Sequence, residues 1–149
     1  MKKVWIGLLI IVLTAGFAFA QAKGTPKEAQ AMLAKGVEFY KANGQAKAFA
    51  AFDDPKGKFV DRDLYIYVSD LNAKILSHGA NKALIGKTLI ELKDSDGKLF
   101  MKELVDKAKS SNSGSIDYKW TNPTSKKVEA KTVFFQRIGD VVLVCGAYK

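Results

Sequence analysis

The sequence predicts an α+β domain, a five-stranded antiparallel sheet with a long N-terminal helix against it. Three observations carry this. First, Gly114 to Tyr148 reads as three consecutive strands. Ile116, Tyr118 and Trp120 alternate with polar neighbours, and Val128 to Ile138 is rich in β-branched and aromatic residues. After the tight reversal Gly139-Asp140, Val141-Val142-Leu143-Val144 is apolar on both faces, as a central strand must be. This meander is therefore expected at the middle of the sheet. Second, Leu64 to Ser69 and Lys74 to His78 form a hairpin around Asp70-Leu71-Asn72-Ala73. Third, Ala29, Met32, Leu33, Val37 and Tyr40 recur at helical spacing.

Met1 to Ala20 reads as an export signal. Lys2-Lys3 give the charged start, Val4 to Phe17 the apolar centre, and Ala18-Phe19-Ala20 the small-x-small cleavage pattern. The apolar run falls short of the roughly 20 residues that span a bilayer. Cleavage is expected after Ala20, with residues 21–149 as one domain, released to the periplasm or secreted; an uncleaved N-terminal anchor is the alternative. No second apolar span follows.

Thr25-Pro26-Lys27-Glu28 starts the long helix, with Thr25 as cap, Pro26 at its first position and Glu28 completing a capping box. Asn43-Gly44 is the expected stop, and Gln45 to Phe52 a second short helix with Phe49 and Phe52 turned inward. In the first hairpin strand, Leu64, Ile66 and Val68 share one face and Tyr65, Tyr67 and Ser69 the other. Gly79 to Leu92 is loop with one helical turn. A helix from Lys98 to Lys109 buries Phe100, Leu104, Val105 and Ala108. Ser110 to Gly114 links it to the meander, and Asn122-Pro123 breaks that meander with turn chemistry.

Composition narrows the function. Hydrophobic residues make up 48% of the chain, too many for disorder. The 24 basic and 15 acidic residues give +9, or +7 without Lys2 and Lys3. Arg62 and Arg137 are the only arginines, and the lysines are interleaved with acids. A nucleic-acid reader favours arginine forks and clustered charge, so no nucleic-acid partner is expected. The lone Cys145 excludes an intramolecular disulfide and reads as a small buried hydrophobe.

The motifs G-S-I-D-Y-K-W-T-N-P, K-T-V-F and G-D-V-V-L-V-C-G-A-Y, preceded by Leu64 to Asp70, Ile75 to His78 and Ile85-Gly86-Lys87, together resemble a single Cache domain over residues 28–148. Cache domains are PAS-like extracytoplasmic small-molecule sensors of bacterial signal transduction. The resemblance implies a helix on one face of the sheet and a ligand pocket under a loop and helix on the other. Tyr118 and Trp120 fall on the family's Tyr-x-Trp, and Tyr65 on the aromatic of its first strand. His78 falls on the His of its hairpin, with Gly79 where many members have proline. Lys131 falls on the Lys of its Lys-x-x-Tyr; Phe134 replaces that tyrosine, which would leave one hydroxyl missing from the site.

The residues themselves support a pocket. Tyr65 with Tyr67, and Tyr118 with Trp120, each share a strand face, and four aromatics with hydrogen-bonding tips are unusual filler for a small core. The plain alternative is an ordinary aromatic core with its tips at the rim. Lys131, mid-strand among apolar neighbours, would anchor a carboxylate if directed inward. Leu92 to Glu103 places Asp94, Asp96, Gly97 and Glu103 as a calcium loop would, but Leu92 holds the first ligand position. Asp96 as a helix cap is the simpler reading, so no metal is expected. No catalytic constellation or cofactor motif is present in the sequence. The expected function is a non-enzymatic module binding a small organic ligand, best a carboxylate, through Tyr65, Tyr67, His78, Tyr118, Trp120 and Lys131. Such a module signals by presenting its ligand to a receptor partner that the sequence does not name. A structural or interaction protein with a filled core is the alternative, and an enzyme built on His78 the third reading.

Overall fold

The computed structural model describes residues 22–149. Helix α1 (Pro26–Phe52) is followed by strands β1 (Val60–Asp61), β2 (Leu64–Asp70) and β3 (Ile75–His78). A 3-10 turn at Lys82–Leu84, helix α2 (Phe100–Ser110) and strands β4 (Ser113–Thr121), β5 (Val128–Ile138) and β6 (Val141–Tyr148) complete the chain. The expected leader, residues 1–20, lies outside the described residues.

The capping box forms as the sequence predicts. Thr25 Oγ1 accepts from the Glu28 N–H at 3.2 Å, and the Thr25 N–H donates to Glu28 Oε2 at 2.7 Å. The expected stop at Gly44 is a kink: this residue has φ 79° and ψ 169°, and helical geometry resumes beyond it. A residue with a Cβ resists that φ, which is why the break falls on glycine. Phe52 is fully buried beyond the kink, edge-on to Phe59 at 4.8 Å.

The sheet is antiparallel with order β1-β2-β6-β5-β4, and β3 also pairs with β2. β6 lies between β2 and β5 and is buried along its whole length, as a strand apolar on both faces should be. Two expectations are corrected. The sheet has a sixth strand, the two-residue β1, too short for periodicity to reveal. The meander is not wholly central: β4 forms the sheet's edge.

Alternation in β2 divides the core. Leu64, Ile66 and Val68 join Leu143 and Cys145 under Leu33, Ala48 and Phe52 of α1. Tyr65 and Tyr67 face the other way, with Val142, Val144 and Tyr148, beneath Phe100, Met101, Leu104 and Val105 of α2. The helix thus closes one face, leaving the aromatic face to α2 and the β3–α2 loop.

Asp96 does not cap α2. Leu99 occupies the cap position, and no side chain caps there. Instead Asp94 gathers the backbone N–H groups of Asp96, Lys98 and Lys119, each at 2.9 Å. These bonds hold its carboxyl below the usual range, the Lys119 N–H contributing most. Asp94 therefore ties the α2 approach to β4. Asp96 pairs with Lys119, and Glu103 with Lys98 and Lys107.

Candidate functional site

The aromatic face holds the site. β2 contributes Tyr65 and Tyr67, β3 His78, β4 Tyr118 and Trp120, the loop Leu84 and Leu89, and α2 Phe100 and Met101. These enclose a cavity of only about 20 Å³, roughly one water. Outside it lies a cleft of about 290 Å³, sharing Tyr65, His78 and Trp120 with the cavity and continuing to Asn81, Pro123 and Lys126.

His78 stacks against two tyrosines, its ring 5.0 Å from Tyr65 and 5.7 Å from Tyr67. Its Nδ1 accepts from the N–H groups of Asn81 at 2.9 Å and Ala80 at 3.2 Å. The ring proton of the neutral form therefore sits on Nε2. Burial first, and the Lys131 charge second, push its pKa down to about 3, so it is a neutral N–H donor at ordinary pH. Asp53, just past α1, accepts from the His78 N–H at 2.9 Å and Ser77 Oγ at 2.6 Å and fixes the strand end. The Gly79 N–H donates to Ile66 O at 3.0 Å, a bond that a proline at this position would remove.

Lys131 lies inside the protein, 1% exposed. Its ammonium donates to Tyr65 Oη at 2.9 Å and lies over the rings of Tyr65 at 4.0 Å and Tyr148 at 4.6 Å. Tyr148 Oη lies 3.3 Å from Tyr65 Oη and donates to Thr121 O at 2.9 Å. Because an ammonium only donates and a carbonyl only accepts, the chain has one direction: Lys131 to Tyr65 to Tyr148 to Thr121. Tyr67 and Tyr118 share a hydroxyl contact of 3.4 Å, and burial raises the pKa of both, keeping them protonated.

The six residues singled out in the sequence are not brought together equally. Tyr65, Tyr67, His78, Tyr118 and Trp120 line the cavity. Lys131 sits behind Tyr65 and lines a separate depression beside Asp94, Asp117 and Lys149. Trp120 is only half-buried, packed on Phe100 at 5.3 Å. Position 134 costs the site no hydroxyl: Phe134 packs on the α1 side, because residues three apart on a strand face opposite ways. Sequence reasoning missed Tyr148, which pairs directly with Lys131. Counting alternate positions of β6 from Val142 would have found it. It also missed Gly146, whose absent side chain leaves room for the Lys131 stem: a Cβ there would lie 2.9 Å from Lys131 Cε.

His78 and Cys145 stand on opposite faces of the sheet, and burial pushes the thiol up to about 12, so they form no nucleophile–base pair. Among the described residues no three His, Cys, Asp or Glu side chains converge as metal ligands.

An antiparallel sheet with a long helix on one face, and an aromatic cavity under a loop and helix on the other, defines the α+β architecture of Cache domains. The chain belongs to the single Cache domain 2 family, whose model matches residues 17–149. It is 33% identical over 76 residues to the methyl-accepting chemotaxis protein McpP of Pseudomonas putida. That match takes in 51% of this chain and 14% of the receptor, so the chain spans about a seventh of that relative's length. A methyl-accepting chemotaxis protein from Vibrio parahaemolyticus shares the fold with a TM-score of 0.71 at 24% identity, over 82% of this chain and 86% of the other. A Cache chemosensory domain described in terms of carboxylic acid recognition has a TM-score of 0.63 at 24% identity over the same shares.

Proposed function

We propose that this domain is a non-enzymatic extracytoplasmic sensor module that captures a small carboxylate. One observation carries the reading. The Lys131 ammonium is withdrawn from water and meets only a phenol and two ring faces; among the described residues it has no ion-pair partner. A buried charge without a counterion is costly, and a ligand carboxylate would supply the missing charge. The His78 Nε2–H is a further donor on the same face, since the Tyr65 and Tyr148 hydroxyl protons are engaged within the chain, and Tyr67, Tyr118 and Trp120 provide the apolar wall. The family supports a sensor; the acid is read from the lysine.

The cavity of about 20 Å³ is too small for any organic acid, so binding requires the β3–α2 loop to lift and Tyr65 to turn aside, exposing Lys131. The same small volume favours a second reading, an interaction protein with a filled core. Calorimetry of the purified chain with acetate, propionate, butyrate and succinate separates the two. Saturable binding of one of them supports the sensor; no binding of any supports the filled core. The domain is taken as residues 21–149 behind an export signal at 1–20. Among the described residues no helix is long and apolar enough to cross a membrane. The protein would then act in the periplasm or outside the cell.

A further inference from the structure

We infer that the cleft outside His78 is a second anion subsite built on Lys126, and that the ligand is a dicarboxylate rather than a monocarboxylate. The inference rests on the carboxylate reading above and extends it outward from Tyr65.

The cleft carries no acid. None of its lining residues is Asp or Glu. His78 presents Nε2–H, because Nδ1 is occupied by two backbone N–H groups. Asn81 presents its amide nitrogen, because Oδ1 accepts from the Ala83 N–H at 3.1 Å. The Thr121 carbonyl is engaged by the Tyr148 hydroxyl. Lys126 stands exposed on the cleft wall and makes no ion pair with a described residue. It is held there by a turn that places a non-glycine residue at φ 61°, closed by the Lys126 N–H on Asn122 O at 2.9 Å and the Asn122 N–H on Lys127 O at 2.8 Å. Free donors and a cation, with no competing carboxylate, suit an acceptor-rich anion.

Size selects the class. The cleft adjoins the inner cavity at Tyr65, His78 and Trp120, so a ligand whose first carboxylate is seated there extends outward into the cleft. The cleft's 290 Å³ lies just below the roughly 300–1,000 Å³ of small-molecule sites. It is more than ten times roomier than the inner cavity, space enough for the second carboxylate of a short diacid. A two-carbon acid would leave Lys126 facing water.

Calorimetry with matched pairs, succinate against butyrate and glutarate against valerate, tests this on the purified chain. The diacid is expected to bind about fivefold or more tighter than its monoacid, with the preference shrinking as salt rises. Lys126→Asn, which tolerates the left-handed φ, should bring the ratio close to one, and Lys126→Arg should keep it. An unchanged ratio in Lys126→Asn, or equal binding of both acids by the wild type, overturns the subsite. If monoacids bind and Lys131→Met abolishes that binding while Lys126→Asn leaves the ratio unmoved, the subsite falls and the sensor reading stands. If no acid binds, both fall.

Discussion

The Lys131 ammonium donates to the Tyr65 hydroxyl at 2.9 Å and stands over that tyrosine's ring at 4.0 Å. This phenol is a neutral substitute for a counterion, weaker than a carboxylate. Stability and binding should therefore move in opposite directions on mutation. Lys131→Met keeps a stem of similar length and removes the desolvated charge. The free protein is expected to gain about 1–3 kcal/mol, read as a raised unfolding midpoint. Affinity for the carboxylate should fall by about 2–5 kcal/mol, a factor of 30 or more. Equal affinity in the two proteins would remove Lys131 from the site.

His78 gives a pH signature. Its folded pKa of about 3 lies below the unfolded value of about 6.5. Between these values the unfolded chain binds a proton that the folded protein refuses, so stability falls as pH falls. The loss begins near pH 6.5 and continues towards 3, with a slope of up to about 1.4 kcal/mol per pH unit. His78→Gln should remove that component. Denaturant unfolding of both proteins at pH 7, 5.5 and 4.5 measures it; parallel curves would show that His78 titrates normally.

Trp120→Ala is expected to cost about 2 kcal/mol, less than the roughly 3–5 of a fully buried aromatic, because the indole is half-buried at the junction of cavity and cleft. Its effect on carboxylate binding should exceed its effect on stability, since it removes wall from both spaces. Chemical denaturation paired with calorimetry gives the two numbers. A stability loss with unchanged affinity would make Trp120 a packing residue.

Most of the fold is legible in the sequence because its elements follow single periods. β2 shows its two faces by strict alternation, and β5 matches the β-branched run from Val128 to Ile138 residue for residue. The errors fall where side chains outrank local pattern. Asp94, not Asp96, holds the turn before α2, because its carboxylate reaches the backbone of β4, a strand distant in sequence. At the site, period-two counting places Tyr65, Tyr67 and Lys131, yet the Lys-x-x-Phe spacing suggests a pocket role for Phe134 that strand geometry forbids. Tyr148 escaped because a strand apolar on both faces gives no contrast to say which face matters. The near-closure of the cavity depends on loop packing, which no spacing encodes.

Processing is testable directly. The Ala18-Phe19-Ala20 pattern places cleavage after Ala20, so the exported protein should begin at Gln21. Intact mass of the envelope fraction decides this. A mass that retains residues 1–20 would make the segment an anchor.

Gly146→Ala separates the Lys131 stem from its charge. A Cβ at 146 would lie 2.5 Å from Val133 Cγ1, 2.6 Å from Thr132 O and 2.9 Å from Lys131 Cε. The lysine stem can swing away, but the Thr132 carbonyl belongs to the β5–β6 ladder and cannot. The strands must therefore part locally, at a cost of about 1–3 kcal/mol. Displacing the stem also moves the ammonium off Tyr65, so carboxylate affinity should fall even at temperatures where the variant is fully folded. The double variant Gly146→Ala with Lys131→Met should recover part of the stability, because methionine adapts to the narrowed space without carrying a charge. It should recover none of the binding. Denaturation midpoints for the wild type, both single variants and the double variant give the coupling. Strict additivity in stability would show that Gly146 serves strand packing alone and leaves the lysine where it is.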